Sequence, residues 1–131
     1  MNEQDLKSVL YIEDDPDIRE VAAMALELIG GLAVRAYATG LLARRADDGF
    51  SPDLLLLDVM MPGLDGPSTL AELRLDPRFA KTPAIFFTAK ANPAETKRLI
   101  DLGAIGVVAK PFDPATLADD ILRVWRSGHD G

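Results

Sequence analysis

Short apolar runs alternate along the chain with stretches of helical periodicity, five of each. The runs are Ser8 to Ile12, Leu32 to Tyr37, Asp53 to Leu57, Ala84 to Thr88 and Ile105 to Ala109. Several are apolar at consecutive positions instead of every second one, the pattern of strands covered by helices on both faces. The alternation predicts an α/β fold on a parallel sheet. Asp15-Pro16, Asn92-Pro93 and Asp113-Pro114 each set a capping side chain before a proline, which predicts three helix starts. In the first helix Ile18, Val21, Ala22, Ala25 and Ile29 recur at helical spacing and are expected to pack on the sheet, with Gly30-Gly31 ending the helix. The second helix, Thr39 to Asp48, has only a short apolar stripe of Leu41, Leu42 and Ala46. Pro67 suits the first turn of the third helix. The last carries Leu117, Ile121, Val124 and Trp125 on one face before a polar tail, Ser127 to Gly131, that is expected to fray.

Length and composition sharpen this picture. A chain of 131 residues with 48% apolar and 27% charged positions is expected to form one domain with a self-sufficient core, over about residues 7 to 126. With 14 basic and 21 acidic residues the net charge is −7, which argues against direct binding of nucleic acid. The pair Arg44-Arg45 is soon followed by Asp47 and Asp48 and makes no phosphate-binding run. No apolar run approaches the roughly 20 residues of a membrane span, and Met1 to Asp5 lacks the basic and then apolar character of a signal peptide. Together with the absence of Cys, these features lead to the expectation of a cytoplasmic protein.

Residues just past the ends of parallel strands gather along one rim, where such folds bind ligands. The first strand runs into Glu13-Asp14-Asp15, the third into Asp58 and the fifth into Lys110, while the fourth ends at Thr88. Asp15 serves as the helix cap, which leaves Glu13, Asp14 and Asp58 as converging carboxylates. Their mutual repulsion is relieved by a cation. Oxygen-only donors suit Mg²⁺, whereas zinc is disfavoured by the lack of Cys and by a single His in the tail. A metal beside Asp58 suggests phosphoryl chemistry, with Lys110 and Thr88 as donors to the phosphoryl oxygens.

These residues resemble the receiver domain of bacterial two-component response regulators. The resemblance is carried by Val9 to Pro16 (VLYIEDDP), Leu54 to Gly66 (LLLLDVMMPGLDG), Phe87-Thr88-Ala89, and Gly103 to Phe112 (GAIGVVAKPF), and it covers about residues 7 to 126. It implies a (βα)5 flavodoxin-like fold with strand order 2-1-3-4-5. It implies that Asp58 accepts a phosphoryl group from a histidine kinase or phosphotransfer protein. Asp14 matches the direct Mg²⁺ ligand, Glu13 its acidic neighbour acting through metal-bound water, and Met60 a backbone-carbonyl ligand. Thr88 and Lys110 match residues that rearrange towards the phosphoryl group, and Lys110-Pro111 matches a cis peptide bond.

The sequence departs from the family at Val107, where an aromatic residue usually stands three positions before the lysine. A Val side chain cannot swing inward, so activation is expected to be read out by backbone shifts from Ala89 to Asn92 and in the fourth helix. Met60 and Lys90 occupy positions that tune dephosphorylation in the family. Met60 has no polar atom to orient a water, which predicts a long-lived phosphoryl state. Partners are expected at the face of helix 4, strand 5 and helix 5, with the protein a monomer or a phosphorylation-dependent dimer. The expected role is a signalling switch and not a conventional enzyme. An alternative is a receiver-like interaction module that works without phosphate. A haloacid-dehalogenase-like phosphatase would place a second Asp where Met60 stands. The polar start after Met1 favours a stand-alone protein over a fragment of a longer regulator. Trp125, Phe86, Phe87 and Phe112 read as core, and His129 as solvated.

Overall fold

The structure is a computed structural model that describes residues 5–46, 49–59 and 65–130, with the backbone alone for the last two. Met60, Pro62, Gly63, Asp47 and Asp48 therefore lie outside the described residues, and the expectations placed on them are not addressed by the geometry. Strands β1 (Ser8–Ile12), β2 (Ala33–Tyr37), β3 (Leu54–Asp58), β4 (Ala84–Thr88) and β5 (Gly106–Ala109) alternate with helices α1 (Pro16–Leu28), α2 (Gly40–Arg45), α3 (Gly66–Leu73), α4 (Pro93–Asp101) and α5 (Leu117–Asp130). All strand pairs are parallel, in the expected order β2-β1-β3-β4-β5.

The consecutive apolar runs are the fully covered strands: every residue of β3 and β4 is buried. Alternate side chains feed two cores. Val9, Tyr11, Leu56 and Phe87 pack with Leu26, Ile121 and Trp125 on the α1 and α5 side. Leu10, Ile12, Leu57 and Phe86 pack with Ala43, Leu70 and Leu99 on the other. Burying each such Leu or Phe contributes roughly 1.5–3 kcal/mol, so the sheet's centre is the most stable part of the frame.

The caps form as the residue types dictate. Asp15 Oδ1 accepts from the backbone N–H groups of Asp17 and Ile18 at 2.9 and 3.2 Å, Asp65 from Ser68 at 2.8 Å, and Asn92 from Glu95 at 2.8 Å. Asp113 departs from expectation. It accepts from the Ala115 N–H at 2.9 Å, and its carbonyl accepts from Thr116, so it closes a tight turn and α5 begins only at Leu117. α5 extends through most of the polar tail, to Asp130. The buried face of α1 is also rotated from the expected one. Ala22, Ala25 and Leu26 face the sheet, while Val21 and Ile29 stand out in solvent. In α2 the buried residues are Gly40 and Ala43, and Leu41 and Leu42 are exposed. α1 thus docks through Ala22, Ala25 and Leu26, and Gly40 lets the start of α2 lie against Thr69 and Leu73 of α3.

Candidate functional site

Three strand ends build the site. Glu13 follows β1, and its N–H donates to the Tyr37 carbonyl of β2 at 3.0 Å, which extends the ladder one residue past the strand. Asp58 closes β3 and lies beside Phe87 in β4. Lys110 follows β5, and its N–H donates to the Thr88 carbonyl at 2.8 Å. Parallel pairing thus brings residues far apart in the chain to one rim.

Side chains then converge. Lys110 Nζ donates to Glu13 Oε1 and to Asp58 Oδ2, each at 2.9 Å. Ligand oxygens of Glu13, Asp14 and Asp58 lie within 4.8 Å of one another. Glu13 and Asp58 are buried, with 1% and 5% of their surface exposed, and Asp14 is the more open of the three. Burial pushes the Glu13 carboxyl above its ordinary range. The hydrogen bond from Lys110 opposes that shift, and the neighbouring Asp58 charge adds to it. For Lys110 burial works against the charge, but the bonds to Asp58 and Glu13 outweigh it and hold the ammonium above its ordinary value. The outcome is a paired but crowded cluster in which one cation serves more than one buried anion.

The walls are fixed by backbone needs. A Cβ on Gly66, the first residue of α3, would lie 2.6 Å from the Asp58 carbonyl oxygen, so only glycine lets α3 start against the end of β3. Arg19 of α1 donates to the Glu13 carbonyl at 2.7 Å, and the Asp15 N–H donates to Glu13 Oε2 at 3.3 Å. Thr88 is buried at the end of β4, where its hydroxyl accepts from the Lys90 N–H at 3.0 Å. The Lys90 side chain is exposed. The Lys110-Pro111 bond is cis, as expected.

The structure therefore brings Glu13, Asp14, Asp58 and Lys110 together and sets Thr88 at the neighbouring strand end. Val107 lies three residues back in β5, half-buried against the α4-side core. Two contributors were not foreseen from the sequence. Arg19 acts on a backbone carbonyl, which leaves no mark in a residue pattern. Tyr11, read only as a strand residue, points its hydroxyl at Glu13 Oε1 from 3.4 Å. Its signal was present: it stands two residues before Glu13 on one strand and so shares its face.

A family model for the response regulator receiver domain matches residues 9–122. The chain belongs to this family. Among curated relatives, this receiver is 40% identical over 128 residues to the transcriptional regulatory protein CseB of Streptomyces coelicolor, covering 97% of this chain and 53% of that one. It is 33% identical over 120 residues to the phosphate regulon transcriptional regulatory protein PhoB of Pseudomonas aeruginosa, covering 92% and 52%. The chain thus spans about half the length of these relatives. Among solved structures, the chemotaxis response regulator CheY4 of Vibrio cholerae superposes with a TM-score of 0.77 at 28% identity, over 92% of this chain and 99% of that one. The receiver-domain reading stands over the phosphatase one. No described helix is long and apolar enough to cross a membrane.

Proposed function

We propose that this receiver accepts a phosphoryl group on Asp58 with Mg²⁺ present, takes it from a histidine kinase or phosphotransfer protein, and signals by contact with a further protein. The observation that carries the reading is the pairing of Lys110 with both Glu13 and Asp58 at 2.9 Å beside the more open Asp14. Three carboxylates with oxygens within 4.8 Å fit a hard divalent ion. Asp14 and Asp58 would hold it directly, Glu13 through water, with the Met60 carbonyl as a further donor. Bound there, Mg²⁺ supplies neutralising charge for the carboxylate and the incoming phosphate.

An Asp58 carboxylate oxygen attacks phosphorus, a P–O bond forms, and the bond from phosphorus to the donor histidine nitrogen breaks, with its electron pair leaving on that nitrogen. Lys110 follows the new negative charge onto the phosphoryl oxygens, and the Thr88 hydroxyl turns to donate to another. Near-complete switching from 1:99 to 99:1 needs about 5.5 kcal/mol of differential stabilisation, within reach of these contacts acting together. With Val107 in place of an aromatic, the signal travels through backbone shifts from Ala89 to Asn92 and α4. The partner face is formed by α4, β5 and α5, where a groove of about 400 Å³ lies beside Val107, Phe112 and Val124. Met60 orients no water and Lys90 is the other tuning position, so the phosphoryl group is long-lived.

The test is intact mass over time with Mg²⁺ and acetyl phosphate. The parent is expected to gain one phosphoryl group and hold it for minutes or longer, and folded Asp58→Asn to gain none. No gain in a folded parent transfers the case to a phosphate-independent module, and decay within seconds removes the role assigned to Met60.

A further inference from the structure

We propose that Tyr11 is a positioning residue of the carboxylate cluster, whose hydroxyl holds Glu13 in place when Lys110 leaves it for a phosphoryl group. The inference rests on the proposed function above and deepens it. Lys110 Nζ and the Tyr11 hydroxyl address the same oxygen, Glu13 Oε1, from 2.9 and 3.4 Å. A hydroxyl bonded closely to a carboxylate sits nearer 2.5–2.7 Å. The ammonium is therefore the close partner in this state, and the hydroxyl stands in reserve with room to tighten.

Once Lys110 turns to a phosphoryl oxygen, Glu13 Oε1 lies in a residue only 1% exposed and needs another donor. Tyr11 is placed to be that donor. Its side chain is fully buried in a strand whose other buried members, Val9, Leu10 and Ile12, are apolar. The ring is held edge-on to Phe87 at 5.9 Å, and Phe87 stacks with Phe112 at 5.6 Å, so the hydroxyl is aimed before it is needed. Burial, reinforced by the charges of Glu13 and Asp58, keeps the phenol protonated and so a donor. An aliphatic residue would fill the same core position but offer Glu13 Oε1 no side-chain donor in the phosphorylated state, leaving the Asp15 N–H on Oε2 as the protein contact.

Tyr11→Phe removes the oxygen and keeps the ring. Mg²⁺ affinity is measured by titration calorimetry on the full chain, with and without beryllofluoride as phosphoryl mimic. Without the mimic Lys110 still holds Glu13, and the variant is expected to match the parent. With it, the variant's Mg²⁺ affinity is expected to fall about tenfold, the equivalent of one ordinary hydrogen bond. Glu13→Asp, one methylene shorter, is expected to show a similar loss, and Tyr11→Phe to add nothing further to it. In the parent, the ¹³Cζ resonance of Tyr11, assigned with Tyr37→Phe, is expected to move when beryllofluoride binds. Should Tyr11→Phe fail to fold, this resonance and Glu13→Asp carry the test. Equal affinities in both states, or an unmoved resonance in a parent that binds both ligands, overturns this inference alone. A parent that binds neither ligand overturns the functional reading and this inference with it.

Discussion

The two ends of the sheet differ in how their charged side chains are partnered. At the end where the strands start, charges are spent on backbone groups. Asp53 accepts from the N–H groups of Lys7 and Ser8 at 3.0 and 3.2 Å. Arg74 donates to the carbonyls of Phe79 and Thr82. Arg78 donates to the carbonyls of Arg44 and Ala46 at 2.8 and 2.7 Å and pairs with Asp76 at 2.8 Å. Each of these charges meets a complementary group: Asp53 ties the starts of β1 and β3 together, and Arg74 and Arg78 close the loop between α3 and β4 onto α2. At the other end, Lys110 bonds both Glu13 and Asp58, with Asp14 close by. Fixed partners make a frame. A cluster in which carboxylates outnumber the ammonium among the described residues makes a place where an added cation or a moved ammonium changes the energy most.

The sharpest way to break this comparison is to remove the central charge. Lys110→Met leaves Glu13 and Asp58 buried side by side without their cation. Uncompensated buried charge costs about 3 kcal/mol, the lower end of the usual range, because Lys110 retains 19% exposure. Unfolding in urea with a chelator present is expected to show that loss, and saturating Mg²⁺ to restore much of it. A loss that Mg²⁺ leaves untouched contradicts the view that the cluster is short of a cation.

At the opposite end the effect is smaller and differs in kind. Arg74→Met leaves the Phe79 and Thr82 carbonyls without their guanidinium donor, at a cost of about 2 kcal/mol. Urea unfolding is expected to give the same loss with and without Mg²⁺, while phosphoryl uptake by Asp58 is unchanged. A Mg²⁺-dependent loss at Arg74 means that the two ends are coupled and the division between frame and site is wrong.

The contrast between the ends also explains what the sequence discloses. Glu13, Asp58 and Lys110 were legible because position after a parallel strand fixes position in space, and because unlike charges at three strand ends have few other uses. The consecutive leucines of β3 and the proline-marked caps of α1 and α4 were legible for equally local reasons. Arg19, Arg74 and Arg78 were not, since their targets are carbonyls, which every residue carries. The buried face of α1 was only partly legible because apolar residues on several sides of one helix fit more than one stripe: Ala22 and Ala25 are buried as expected, but with Leu26 and not with Val21 and Ile29. Asp113-Pro114 carries a cap signature that a tight turn satisfies as well as a helix does.

The finest test of the comparison is pH, because Glu13 and Asp76, one from each end, titrate with opposite sign. Glu13 has a folded-state pKa raised above its ordinary 4.5 by burial. Between those two values the folded protein binds more protons than the unfolded chain, so stability falls as pH rises through that window. Asp76 is held below its ordinary 3.8, first by its hydrogen bond from Arg78. Its contribution is present above 3.8 and is lost as pH falls through the depressed value. Melting temperature against pH, with chelator present, is therefore expected to decline on both sides of a maximum. Glu13→Gln is expected to flatten the higher-pH side alone, and Arg78→Met to diminish the drop on the acid side. Saturating Mg²⁺ is expected to flatten the higher-pH side of the parent as well, because a cation favours the ionised carboxylate that burial disfavours. A higher-pH decline that survives in Glu13→Gln places its origin outside Glu13 and removes the contrast in sign drawn between Glu13 and Asp76.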